Sequence, residues 1–107
     1  MFVSQEGNLV TVINVFEAKP EQQQELIDGW IRFVEEKVIG ETGLIGAALH
    51  RSMDGTRVVN YAQWRSVEDY ERFMKKYREQ MEARRPVASR VDFHLYEVVY
   101  LTERRGR

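Results

Sequence analysis

The residues of this chain best able to do chemistry stand in the string Arg57-Val58-Val59-Asn60-Tyr61-Ala62-Gln63-Trp64-Arg65. In an extended segment side chains alternate, so Val58, Asn60, Ala62 and Trp64 share one face. Asn60 and Trp64 then lie about 13 Å apart along the strand, with Ala62 leaving a hollow between them. The amide offers a donor and an acceptor, and the indole offers one donor on a large apolar plate. Such a wall suits a flat aromatic or polycyclic ligand whose oxygens need hydrogen bonds. Spacing alone leaves a second reading open, with Trp64 a core aromatic and Asn60 a satisfied strand polar. Asn14 interrupts an apolar strand on the face of Val12 and Phe16. Buried there, it either lines the same pocket or bonds to neighbouring backbone.

His50 and His94 are the only histidines. Two imidazoles cannot build a three-ligand metal site without carboxylates, and no metal-binding spacing is present, so no metal is expected. His94, beside Asp92 and Tyr96 on one face, is either a substrate-contacting base near neutral pH or an ordinary half-buried strand residue. Arg84 suits the negative end of a helix, or stabilises an anionic ligand such as a phenolate. Tyr70, Met74, Tyr77 and Met81 are core or pocket wall. Phosphate loops, dinucleotide fingerprints and nucleophile elbows are absent from the sequence.

Six elements must position these groups. Residues 9–18 are rich in β-branched side chains and read as a strand. Lys19-Pro20-Glu21 opens a helix whose apolar face (Leu26, Trp30, Phe33, Val34, Val38) runs to about Val38, before Gly40 and Gly43 break it. Residues 44–52 and 57–65 form a hairpin around Asp54-Gly55. Ser66-Val67-Glu68-Asp69 has the capping-box form, and a second helix follows until Pro86 ends it. Residues 91–102 read as the fourth strand. The order β-α-β-β-α-β predicts an α+β, ferredoxin-like fold with an antiparallel sheet.

Length and composition fit one globular domain over residues 1–107, with a core at about 9–102 and a polar tail at 103–107. The 107 residues are 43% hydrophobic and 31% charged, and the formal net charge is −1. That balance lacks the basic excess of a nucleic-acid binder. No signal peptide or membrane-length apolar run is visible, and cysteine is absent, so a cytoplasmic protein is expected. Both faces of the first and fourth strands carry apolar residues, although helices can cover only one. The expected cover is a second copy packed sheet to sheet, a homodimer.

The stretch His50-Arg51-Ser52-Met53-Asp54-Gly55-Thr56-Arg57-Val58-Val59-Asn60-Tyr61-Ala62-Gln63-Trp64 resembles the antibiotic biosynthesis monooxygenase (ABM) family. So do Val12-Ile13-Asn14-Val15-Phe16 and His94-Leu95-Tyr96-Glu97-Val98, and the likeness spans about residues 9–100. It implies a dimeric α+β barrel, and oxidation of a phenolic or anthrone-type polyketide to a quinone by molecular oxygen, without metal, flavin or haem. It also implies that Asn60 and Trp64 bind and polarise the substrate, with Tyr70 and Arg84 matching less securely. The expected set is Asn60, Trp64 and Arg84 as catalytic groups, with Asn14, Tyr70, Met74 and His94 against the substrate. Haem-degrading members carry a histidine on the second helix. This chain has none between Ser66 and Arg85, and Met74 stands near the expected place. The alternative is a non-oxidative relative: an isomerase, a cyclase or a small-ligand-binding dimer.

Overall fold

The computed structural model of the chain describes residues 9–82 and 90–104. Strand β1 (Val10–Glu17) is followed by a 3₁₀ turn (Pro20–Gln22), helix α1 (Gln23–Phe33) and a π-helical turn (Val34–Val38). Strands β2 (Leu44–Arg51) and β3 (Arg57–Trp64), helix α2 (Val67–Glu82) and strand β4 (Arg90–Tyr96) complete the order. The sheet runs β2-β3-β1-β4 with every neighbouring pair antiparallel, which is the ferredoxin-like arrangement the pattern predicts.

Three local differences from the sequence pattern have physical causes. The first helix is one unbroken run over 20–38, but its final turn closes from the Ile39 amide to the Val34 carbonyl at 2.9 Å, a π step. Such turns are rare and concentrate at functional sites. The fourth strand ends at Tyr96 instead of Thr102. Tyr96 pairs with Thr11 near the start of β1, so the residues beyond it run past the strand that could hold them. The third is a register shift in β2 at Ile45, between Leu44 and Gly46. Strict alternation would place Leu44 and Ala47 on opposite faces; the irregularity brings both to the helix side. The end of α2 expected near Pro86, and with it Arg84, lies outside the described residues.

The core lies between the sheet and the two helices. Val10, Val12 and Phe16 of β1, Val58, Ala62 and Trp64 of β3, and Leu26, Ile27, Trp30 and Phe33 of α1 are all buried. Tyr70 and Phe73 bring α2 onto this layer. Ser66 caps α2 by accepting from the Asp69 amide at 3.1 Å, as its position in the sequence predicts. Gly43, at φ +98°, lies so close to this cap that an added Cβ would stand 2.6 Å from the Asp69 Cβ. Its backbone carbonyl accepts from the Arg65 amide at 2.8 Å, fixing the end of β3 beside the start of α2. The sheet's other face carries Thr11, Ile13 and Val15 on β1 beside Gln63, Tyr61 and Val59 on β3. There the Gln63 amide donates to the Thr11 hydroxyl at 3.2 Å, and both residues are buried.

The β2–β3 turn is held by one carboxylate. The Ser52 and Thr56 hydroxyls and the Thr56 amide all donate to Asp54 Oδ1, at 2.8, 2.7 and 3.0 Å. Gly55 supplies the positive φ (82°). From α1, the buried Gln23 side-chain amide donates to the carbonyls of Arg57 (2.9 Å) and Ser52 (3.2 Å), tying the helix to the hairpin. The hydrogen bonds from Thr56 and Ser52 pull the Asp54 carboxyl down from 3.8 to about 2. A depressed carboxyl stabilises the fold above its unfolded value and loses that contribution as pH falls through the folded one. Asp54→Asn should therefore melt below the parent at neutral pH. The gap should close on acidification across the window between those two values, as thermal unfolding followed by circular dichroism would register.

Candidate functional site

Antiparallel register sets the floor of the site row by row. Asn14 on β1 stands opposite Asn60 on β3, with Phe93 of β4 and Leu49 of β2 extending the same row. Side chains directly opposed on one face sit about 5 Å apart at Cβ, so two amides lie side by side in mid-sheet. Asn14 is 2% exposed and Asn60 7%. The next row is small: Ala47, Ala62 and Val12. Trp64 follows, paired with Val10 and Leu44. The order amide, alanine, indole leaves a hollow above Ala62, as the alternation in β3 implies.

Helices α1 and α2 roof this hollow without filling it. The resulting chamber, about 20 Å³, is lined by Asn14, Asn60, Trp64 and Tyr70 together with Trp30 of α1 and apolar side chains. Val34 and Val38, both from the π turn, are among the latter. A second hollow of about 110 Å³ shares Trp30, Val34, Ala47 and Asn60 with the first, and is also lined by Leu49, Ile31 and Glu35. It lies between α1 and β2. Aromatic rings frame the inner chamber. Trp64 meets Phe73 at 5.1 Å and Tyr70 edge-on at 5.7 Å, while Trp30 meets Phe16 at 5.1 Å and Phe33 at 5.5 Å. Offset and tilted pairs of this kind add to the burial energy and fix ring orientation.

Tyr70 is the one titratable residue lining the inner chamber among those described. Burial pushes its hydroxyl pKa up, so it stays a neutral phenol that donates or accepts a hydrogen bond. Two buried polar atoms here have no partner among the described residues: Asn14 Oδ1 and Trp30 Nε1. An unmet buried donor or acceptor costs about 1–3 kcal/mol, which makes each a group waiting for a complement.

The structure thus brings Asn14, Asn60, Trp64 and Tyr70 to one chamber. Met74 does not line the chamber: it packs at the edge of the core and lines a depression with Glu71, Lys75 and Arg78. His94 stands opposite Ile13 on the far face of the sheet, mostly exposed and paired with the Asp92 carboxylate. His50 shares that face, its Nδ1 at 3.3 Å from the Val59 carbonyl. Trp30 is the chamber residue that sequence reasoning assigned to the helix core alone. No group of three or more His, Cys, Asp or Glu side chains is placed to hold a metal ion among the described residues. No helix among them is long and apolar enough to cross a membrane.

The family model for antibiotic biosynthesis monooxygenases matches residues 9–85, more than half of the sequence. The chain belongs to that family. It is 43% identical over 68 residues to tetracenomycin-F1 monooxygenase from Streptomyces glaucescens. That match takes in 64% of this chain and 61% of the relative, less than two thirds of its length. Among solved structures, SnoaB, a cofactor-independent oxygenase from Streptomyces nogalater, superposes with a TM-score of 0.67 at 18% identity. The alignment covers 89% of this chain and 97% of SnoaB. An anthrone oxidase-like protein reaches a TM-score of 0.80 at 24% identity, covering 92% of this chain and 42% of the other. These likenesses show a shared fold. In an ultraviolet titration of the tyrosines, the highest-titrating one should vanish in Tyr70→Phe, and the remaining curve should keep its shape.

Proposed function

We propose that this ABM-family chain is a cofactor-independent monooxygenase that oxidises a phenolic or anthrone-type aromatic substrate to a quinone with molecular oxygen. One observation carries the reading: a buried, aromatic-walled chamber whose polar lining is two amides, two indoles and a neutral phenol, without a carboxylate or imidazole among the described residues. The names of the ABM relatives point to the same chemistry, tetracenomycin-F1 monooxygenase by sequence and the cofactor-independent oxygenase SnoaB by fold.

Neutral donors in an apolar chamber favour an anionic oxygen over the parent phenol or enol. Each pKa unit by which the bound substrate is acidified needs only ~1.4 kcal/mol of preferential interaction. The Asn60 amide and Trp64 indole are the donors we assign to that oxygen, with Tyr70 and Asn14 against the ring system and Arg84 as a further counter-charge. The proton leaves to solvent water, since no described residue lining the inner chamber is a base at neutral pH. The electron-rich anion passes one electron to O2, giving a substrate radical and superoxide. Their recombination forms a C–O bond at the ring carbon, and loss of water from the hydroperoxide leaves a carbonyl. For an anthrone the sum is one methylene plus O2 to one carbonyl plus water: the substrate loses four electrons, and O2 gains them. A homodimer packed sheet to sheet would cover the far face of the sheet.

Oxygen uptake with anthrones and dihydroxynaphthalenes, without added cofactor and with quinone absorbance followed in parallel, tests the proposal. Protein-dependent uptake that survives chelation is expected. Trp64→Phe keeps the plate and removes one donor; a hydrogen bond to a charged group is worth about 1.5–3 kcal/mol, so kcat should fall about 10- to 100-fold with little change in melting temperature. Equal loss of folding and activity would reduce Trp64 to a core residue. Turnover should also rise with pH until the bound substrate is fully ionised, and Tyr70→Phe should leave that profile in place. Absence of uptake across the panel, with binding retained, would favour a non-oxidative relative.

A further inference from the structure

The roof of the chamber holds a donor that the proposed chemistry has not used. Trp30 is 3% exposed, and its Nε1 has no partner among the described residues. On the floor, Asn14 is 2% exposed and its Oδ1 is equally unpartnered. One is a donor only, the other an acceptor only, and both residues line the same chamber. Rings on two sides hold the Trp30 indole, Phe16 at 5.1 Å and Phe33 at 5.5 Å, so it cannot turn to seek a partner without breaking that packing. A phenylalanine at this position would supply apolar packing without burying an unmet N–H. Trp30 also lines both hollows, so a ligand in either one lies beside it.

We infer that Trp30 is a specificity-determining donor to a carbonyl or oxyanion oxygen of the ligand and that Asn14 Oδ1 accepts from a hydroxyl, so the chamber selects aromatics carrying both groups. This deepens the monooxygenase reading and rests on it for the ligand class. A ligand with oxygens that only accept would leave Asn14 Oδ1 unpaired, and a ligand without any oxygen at the roof would leave Trp30 Nε1 unpaired. Leaving a buried partner unmet is how a polar site rejects an analogue strongly. A phenol with a carbonyl on an adjoining ring meets both needs at once. Asn60 and Trp64 remain available to the reacting oxygen.

Quinones are already oxidised, so their binding tests this selection without turnover. The probes are 2-hydroxyanthraquinone, whose hydroxyl is too far from its carbonyls to bond to them, its methyl ether and unsubstituted anthraquinone, measured by equilibrium dialysis. The parent protein should bind the hydroxy compound at least about tenfold tighter than the other two. Trp30→Phe should weaken all three by about tenfold while its melting temperature stays level or rises, because an orphaned donor has been removed. Asn14→Leu should erase the preference for hydroxyl over methoxyl and leave the carbonyl contact. Should Trp30→Phe not fold, the parent decides: only two tryptophans exist, so Trp64→Phe assigns the Trp30 indole N–H resonance. That resonance should move downfield on adding the hydroxyquinone. Equal affinities for the three quinones, unchanged binding in Trp30→Phe, an unmoved indole resonance or no quinone binding at all would each overturn the inference. Anthrone uptake that fails while the quinone selectivity holds would overturn the oxygenase reading and leave this one standing.

Discussion

The rest of the structure depends on one constraint: two asparagines lie side by side on the core face of the central strands, where an apolar interior penalises every unmet amide. A sheet of this size packed under two helices would ordinarily fill that row with valine or isoleucine. Asn14 and Asn60 instead pair across β1 and β3, and next to them the three strands β2, β3 and β1 offer Ala47, Ala62 and Val12. Polar groups that cannot be covered tightly, next to side chains too small to cover them, leave space. The chamber follows from that composition.

Keeping such a space open requires a frame that does not collapse into it, and aromatic rings supply it. A continuous series runs from Phe93 through Phe16, Trp30 and Phe33 to Phe73, then on to Trp64 and Tyr70. It joins β4, β1, both helices and β3, so each ring is braced by another element. Rigid plates of this kind cannot rotate into the hollow as leucines would, since each is wedged edge or face against the next. The hairpin tie from Gln23 and the Gly43–Asp69 approach hold the two helix N-termini over the sheet, so the roof is pinned as well as packed.

Much of this was legible in the sequence wherever a local rule acts alone. Alternation in β3 put Asn60, Ala62 and Trp64 on one face, the Ser66 cap opened α2, and Asp54-Gly55 marked the turn. What was not legible depended on neighbours. His94 and Phe93 are adjacent in the chain, and only the register of β4 against Asn14 and Ile13 decides which faces the helices. Met74 follows Phe73 by one residue, enough of a turn to carry it from the chamber lining to the edge of the core. The length of β4 is set by where β1 begins, which no pattern within residues 91–102 reports. Trp30 is the most instructive case. Its place on an apolar helix stripe is real, but a stripe cannot reveal that an indole nitrogen within it lacks an acceptor.

The lining of the chamber also limits what chemistry it can perform. Hydrogen bonds gain strength in a low-dielectric site, and there is no bulk water beside Asn14, Trp30 or Trp64 to compete with a ligand. Yet each of these groups is neutral, and Tyr70 is held neutral by the same burial. The described lining can stabilise a charge that arrives with or develops on a ligand, and it holds no carboxylate or imidazole to store a proton at neutral pH. In the proposed oxygenase, reactivity resides in the ligand, and selectivity in whether its oxygens meet the amides and indoles in the right protonation state. The unmet donor on the roof and the unmet acceptor on the floor make that demand specific, because an oxygen that only accepts leaves the Asn14 amide oxygen unmet.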